Sequence, residues 1–119
     1  MFINADHPAG INYGDGYLQG DGSLGQVVKI AGNDLFAVNT DPAAKSYGLL
    51  MKDYKGGDMP GIYCGGGIYT TDVFIGTIAA GDALMSGVDG KLTKLTGVNL
   101  QIATAINVSG GVLKFKLLI

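Results

Sequence analysis

The sequence predicts an all-β protein, a small barrel or sandwich of short antiparallel strands with an extended N-terminal arm. The 119-residue chain contains 21 glycines, which interrupt it too often for long helices. It contains no Arg and no Glu, two residues that favour helices. Several segments alternate apolar and polar residues with the two-residue period of a half-buried strand. A chain of this length is typical of one domain with its own core.

Residues 1–22 are predicted to form the N-terminal arm. This segment contains Pro8 and several glycines, and no hydrophobic period is sustained through it. It nevertheless keeps apolar side chains that a disordered tail would lack. We expect these side chains to be buried against a partner or, alternatively, against the protein's own domain. The candidate contact residues are Phe2, Ile3, Ile11, Tyr13 and Tyr17.

Residues 23–119 are predicted to form a single β domain. The segments "QVVKI" and "LFAV" flank Asn33-Asp34 and indicate a hairpin. In "SYGLLMKDY" an alternating pattern puts Tyr47, Leu49 and Met51 on one face of a strand. The segments "GIYC" and "GIYTTDVFIGTIA" are rich in the β-branched and aromatic residues that strands favour.

The last forty residues repeat this pattern of strands and turns. "DALMS" and "KLTKL" flank Asp89-Gly90, a pair that favours a type I′ turn because Gly accepts a positive φ. "NLQIATAIN" puts one set of side chains on each face of a strand: Leu100, Ile102, Thr104 and Ile106 on one, and Gln101, Ala103 and Ala105 on the other. The final strand is predicted to turn Leu113, Phe115 and Leu117 towards the core, and Lys114 and Lys116 towards solvent.

Two similar halves, residues 24–66 and 78–119, are visible in this layout. Each runs strand, Asn/Asp turn, strand, loop, alternating strand, glycine pair and closing strand. Two interpretations stay open. The halves are a structural duplication, or they are the regular turns of an ordinary barrel or sandwich.

Composition argues against several classes of partner. The net charge is −2, whereas nucleic-acid-binding domains carry basic patches. The uncharged stretch between Lys94 and Lys114 holds too many polar residues to insert well into a membrane. The start of the chain has neither the basic region nor the apolar core of a signal peptide. Cys64 is the single cysteine, which fits synthesis in a reducing cytoplasm. We therefore expect no nucleic acid and no membrane partner.

The residue types that carry chemistry are scarce, so we expect no enzyme, no cofactor and no metal. His7 is the single histidine, and Cys64 has no base near it in the sequence. Asp15 and Asp21 lie in Gly-Asp-Gly frames that suggest calcium. However, the chain lacks the bidentate Glu of an EF-hand, and turns explain these frames better.

The segment "IAAGDALMSGVDGKLTKL…IATAIN…GGVLKFKLLI" resembles the C-terminal pattern of small head-decoration, or capsid cement, proteins of tailed bacteriophages. In that pattern a Gly-Asp-x-Leu strand meets an Asp-Gly-Lys-Leu turn, and Ile-Ala-x-Ala and Val-x-hydrophobic-Lys-hydrophobic strands follow. The resemblance covers about a third of the chain. The matching residues are Gly81, Asp82, Leu84, Asp89, Gly90, Lys91, Leu92, Ile102, Ala103, Ala105, Val112, Phe115 and Leu117.

The resemblance implies a structural virion protein. It would be made in the host cytoplasm, bind the major capsid protein on the outside of the head, stabilise the lattice and assemble as a homotrimer. The alternative is a phage tail or head-fibre component that acts as a binding module for carbohydrate. Sugar sites present exposed aromatic side chains, and the candidates for that role are Tyr13, Tyr17, Tyr54, Tyr63 and Tyr69.

Overall fold

The computed structural model describes residues 1–13 and 15–119, apart from the side chain of Tyr13. The described residues contain no helix, and the all-β prediction is confirmed. The strands are β1 (Ile3–Tyr13), β2 (Tyr17–Leu18), β3 (Val27–Gly32), β4 (Leu35–Val38), β5 (Gly48–Leu50), β6 (Gly61–Thr71), β7 (Ala83–Ser86), β8 (Leu92–Lys94), β9 (Ala103–Ser109) and β10 (Val112–Leu117).

These strands form one sheet in the order β2-β4-β3-β5-β6-β10-β9-β7-β8, and β1 pairs with β6 outside this path. The sheet is not closed into a barrel, and the architecture is sandwich-like. The long strand β6 links the two halves of the sheet. Its first residues pair with β5, its last residues pair with β10, and β1 lies antiparallel along its length.

The first half of the sheet is apolar on both faces. Neighbouring strand residues alternate between two core clusters, because successive side chains of a strand point to opposite faces. Val27, Leu49 and Tyr63 belong to a cluster that also contains the core of the second half. Their chain neighbours Val28, Leu50 and Ile62 join a smaller cluster confined to the first half, together with Leu18 and Phe36. The larger cluster therefore joins the two halves.

The two predicted hairpins are present, but one turn differs from the prediction. In the loop between β7 and β8, Gly90 N donates to Gly87 O at 2.9 Å, and Gly90 has φ of 70°. Asp89 does not have the positive φ that a type I′ turn requires, since Asp34 is the one such non-glycine residue that the structure describes. The turn is therefore a type I turn followed by a left-handed glycine, which is the geometry of a three-residue hairpin loop.

The N-terminal segment is extended, but it contains strands that the sequence did not predict. Residues 3–13 form β1, with register shifts beside His7 and Pro8 where the bulges lie. The glycines between "GIYC" and "GIYTT" do not end a strand either. Gly65, Gly66 and Gly67 all have a positive φ, and β6 continues through them.

Three further strands can be compared with the sequence pattern. β5 is shorter than the predicted alternating segment, and its three residues are all buried. In β9 the buried side is that of Ala103 and Ala105, whereas Ile106 is exposed. The prediction for β10 is confirmed, because Leu113, Phe115 and Leu117 are all buried in the core.

Candidate interaction surface

The start of the predicted arm is fastened to its own domain. Phe2 N donates to Asp72 Oδ1 at 2.8 Å, and Thr71 Oγ1 donates to Phe2 O at 2.6 Å. The N-terminal ammonium lies 3.7 Å from Asp72 Oδ2. Phe2 and Ile3 are half-buried, and Ile3 packs against the larger core cluster. Phe2 and Ile3 therefore make most of their contacts within the chain.

Two of the other predicted contact residues remain available at the surface. Ile11 is 43% exposed on β1, and Tyr17 is 50% exposed on β2. The side chain of Tyr13 lies outside the described residues. The structure therefore separates the four residues with described side chains into a docked pair at the N-terminus and an exposed pair further along.

Tyr17 belongs to a surface that the sequence reasoning missed. Two adjoining clefts share the carboxylates of Asp15 and Asp34, and both clefts border the turn between β3 and β4. The smaller one has a volume of about 180 Å³. We call this the β3–β4 surface and define it by six residues: Asn12, Asp15, Tyr17, Ile30, Asp34 and Met59.

The β3–β4 surface combines apolar side chains with negative charge. Ile30 is 62% exposed, and Met59 is also exposed. Asp15 and Asp34 are exposed as well. Ile30 lies two residues after the buried Val28 and so on the same face of β3, but β3 runs past the edge of the core before it reaches Ile30. A sequence pattern gives no signal for where a core ends, so this surface could not be found from it.

One polar atom beside this surface lacks a partner. Asn12 Nδ2 donates to the hydroxyl of Tyr47, whereas Asn12 Oδ1 is buried and accepts no hydrogen bond from the described residues. A buried acceptor without a donor costs free energy. Asn12 also borders the cleft at Asp15 and Asp34, so a molecule bound there has an acceptor within the wall of the cleft.

Most of the aspartates hold loops together. Asp21 Oδ1 accepts from Gly56 N at 2.9 Å, Asp53 Oδ1 accepts from Leu24 N at 2.9 Å and Asp58 Oδ2 accepts from Lys55 N at 2.8 Å. For Asp21, the one of these three that lies in a Gly-Asp-Gly frame, this bond favours a role in holding the loop. Among residues 1–13 and 15–119, no group of three His, Cys, Asp or Glu side chains is placed to hold a metal ion.

A larger cleft lies where the two halves of the sheet meet. Its volume is about 450 Å³, and its walls mix apolar residues with Asp21, Asp89 and Lys91. Neither His7 nor Cys64 lines it. These two residues lie on β1 and β6, where His7 is opposite Ile68 and Cys64 is opposite Gly10. The cleft therefore brings charged side chains together without the histidine or the thiol.

In the described part of the chain, no helix is long and apolar enough to span a membrane. No protein-family model matches the sequence, and no curated protein is similar to it.

Proposed function

We propose that this chain is a structural virion protein that binds the outside of a phage capsid and stabilises the head lattice. The observation that carries the proposal is the resemblance of residues 78–119 to the C-terminal pattern of capsid cement proteins. Those residues fold as two antiparallel hairpins, β7–β8 and β9–β10, joined through β7 and β9. The major capsid protein is the proposed partner, and the capsid surface is the proposed location.

A homotrimer is part of the same proposal, and the apolar surface of the chain supports it. Large apolar side chains are exposed on both halves, among them Ile30, Val88 and Val98. A small domain with this much exposed apolar surface gains free energy when a partner covers it. Three copies around a capsid symmetry axis would cover such surface and provide several attachment points at once.

The capsid contact is assigned to Ile11 and Tyr17, the exposed members of the predicted contact set. Burial of one large apolar side chain contributes about 1.5–3 kcal/mol. Neither side chain belongs to a core cluster. The double variant Ile11→Asp, Tyr17→Ala should therefore stay folded and lose most of its affinity for the capsid.

The test is co-sedimentation with capsids assembled from the major capsid protein encoded in the same genome. The wild-type chain should decorate the capsids, and the double variant should not. Leu118→Ala, which changes an exposed apolar residue in the other half, is the matched control and should decorate normally. Failure of the wild-type chain to bind any form of the capsid would contradict the proposed function, whereas normal decoration by the double variant would contradict only the assigned contact.

A second candidate function is favoured by the surroundings of Tyr17. An exposed tyrosine beside Asp15 and Asp34 offers an aromatic face and two carboxylate acceptors, the groups with which proteins hold sugars. This supports a tail or head-fibre module that binds carbohydrate. Cryo-electron microscopy of the assembled particle separates the two functions, because density for this chain would lie on the head lattice in one case and on the tail or a fibre in the other.

A further inference from the structure

The two halves of the sheet have the same internal order. In the first half the order is β4-β3-β5-β6, and in the second half it is β8-β7-β9-β10. Each strand of one half therefore has a counterpart at the same place in the other half. The register agrees as well. The pair Val28 and Val38 across β3–β4 becomes the pair Leu84 and Lys94 across β7–β8, a shift of 56 residues at both positions.

Individual hydrogen bonds recur with the same shift. Asn39 N donates to Val27 O, and Leu95 N donates to Ala83 O, both at 2.8 Å. The side-chain cap of one loop recurs too, since Ser23 N donates to Gln26 Oε1 at 2.7 Å and Ala79 N donates to Asp82 Oδ2 at 2.8 Å.

Unusual backbone angles are also shared. Gly25 and Gly81 have φ of 82° and 90°, and Asp34 and Gly90 have φ of 54° and 70°. A positive φ at a non-glycine residue is uncommon. The positive φ at both equivalent positions indicates that the two halves share one backbone conformation, with Asp34 in the place of Gly90.

The halves pair through β6 and β10, but their hairpins contact each other in one direction only. The turn of the second half, residues 86–91, packs against the first half. Gly90 O accepts from Val27 N at 2.6 Å, and the Ser86 hydroxyl donates to Asn39 O. A Cβ placed on Gly90 would press against Cγ1 of Val38. We call this contact the internal junction.

The equivalent residues outside the internal junction are more exposed, although Asp34 O already accepts from Tyr17 N at 2.8 Å. Ile30 is 62% exposed, whereas its counterpart Ser86 is 1% exposed. Ala83 and Leu95, the counterparts of the fully buried Val27 and Asn39, are only half-buried. The first half therefore presents a turn like the one at the internal junction. The second half presents a surface like the one that this turn contacts.

We propose that these two free surfaces bind each other between copies: the β3–β4 turn of one chain, residues 30–35, docks on Ala83, Lys94 and Leu95 of a second chain. Each contact of the internal junction has an equivalent pair of positions, shifted by 56 residues. The contact of Ser86 with Asn39 corresponds to a contact of Ile30 with Leu95, which is an apolar pair. Gly90 on Val38 becomes Asp34 on Lys94, a pair of opposite charge. Both transferred pairs are complementary, and this identifies the occupant as a second copy of the chain.

The pairing of Asp34 with Lys94 also explains how a side chain fits at position 34 although none fits at the equivalent Gly90. At the internal junction a branched, packed Val38 leaves room only for glycine. At the proposed contact Lys94 is exposed and flexible, so it can move aside for the carboxylate of Asp34 and pair with it. Lys94 Nζ lies 3.9 Å from Asp82 Oδ2 within its own chain, and it would be shared between the two carboxylates. Because exposed ion pairs are screened by salt, the association should weaken as ionic strength rises.

A contact between two different surfaces is heterologous, and it closes into a ring when the rotation between copies allows. A trimeric ring would contain six repeats joined by alternating internal and external junctions. This inference goes beyond the capsid role and does not depend on it, since it rests on the internal junction alone.

Disulfide trapping tests the contact. By transfer from the internal junction, the Cβ atoms of residues 34 and 94 in facing copies lie within about 4 Å, a separation that a disulfide spans. Asp34→Cys and Lys94→Cys are made separately in a Cys64→Ser background. Under mild oxidation at low ionic strength, the mixture of the two variants should give a linked dimer, whereas each variant alone should not. The variant with both cysteines should give a linked ring or ladder.

A control variant and a charge exchange complete the experiment. Lys52→Cys, at an exposed lysine distant in sequence from both surfaces, replaces Lys94→Cys in the control mixture and should give only background linkage. In sedimentation, Asp34→Lys should abolish self-association, and the added Lys94→Asp should restore it. Linkage in the mixture no greater than in the control, or no restoration by the charge exchange, would overturn the proposal, whether or not the chain decorates capsids.

Discussion

At the scale of single residues, the ionisable side chain of Tyr69 lies in the core. Tyr69 is fully buried between two aromatic rings, with centroid distances of 4.8 Å to Tyr63 and 5.7 Å to Phe115. Its hydroxyl donates to Gly66 O at 3.0 Å. Burial raises the pKa of Tyr69, and the charges of Tyr63 and Cys64 add to the rise, whereas a hydrogen bond with the backbone of Ala9 opposes it.

This shift predicts a loss of stability in alkali. Because the folded pKa of Tyr69 lies above the unfolded value of about 10, its contribution is fully present below about pH 10 and is lost as pH rises from there through the folded pKa. Urea unfolding from about pH 8 to about pH 11 should show a falling free energy of unfolding. Tyr69→Phe cannot ionise, so it should show a shallower fall. Equal falls in both proteins would mean that Tyr69 ionises as easily in the folded state as in the unfolded one.

At the scale of the turns, Gly90 has two reasons to be glycine. Its φ of 70° is strained for other residues, and a Cβ there would meet Val38 of the first half. Gly110, in the turn between β9 and β10, has φ of 58° but open space around its Cβ position. A non-glycine residue in this backbone region costs about 1–3 kcal/mol.

Gly90→Ala should therefore lower the free energy of unfolding by more than Gly110→Ala does. The second variant carries the backbone strain alone, whereas the first adds the displacement of Val38 at the internal junction. Chemical denaturation of both variants measures the difference. Equal losses would show that the internal junction gives way at no cost when the Cβ is added.

The success of sequence reasoning also varies by element. The hairpins and β10 were predictable because their turn residues and period-two patterns are local. β1 was not, because Pro8 and the register irregularities at Asp6 and Ala9 break its period, and only pairing with distant β6 makes it a strand. Leu18 lies in a glycine-rich segment, yet it is 1% exposed in the smaller core cluster. Its burial depends on strands that follow much later in the chain.

The same limit applies to the candidate surface. Tyr17 and Ile11 were identifiable as apolar residues outside a regular pattern, and both are exposed. Ile30 and Met59 were not identifiable, since their exposure follows from where the core ends. Phe2 and Ile3 look like Ile11 in the sequence. What separates them is the bonding of Phe2 to Thr71 and Asp72, which belongs to the tertiary structure.

At the scale of the whole molecule, the larger core cluster joins the halves into one unit. It contains Val27 and Leu49 from the first half, and Leu84, Leu113 and Phe115 from the second. The smaller cluster belongs to the first half alone. Unfolding of the second half would expose the apolar face of β3 and β5 to water, so the first half should not survive by itself.

We therefore predict that damage in the second half is felt in both halves. Phe115 is fully buried in the larger cluster, and Phe115→Ala should lower the free energy of unfolding by about 3–5 kcal/mol. Native-state hydrogen exchange should then show an equal loss of protection in β3 and in β9, because both would open through the same global unfolding. Lys116→Ala, which changes the exposed neighbour of Phe115, is the matched control and should leave both strands protected. If β3 kept its wild-type protection in Phe115→Ala, the halves would be separate folding units, and the cluster they share would contribute contact without cooperativity.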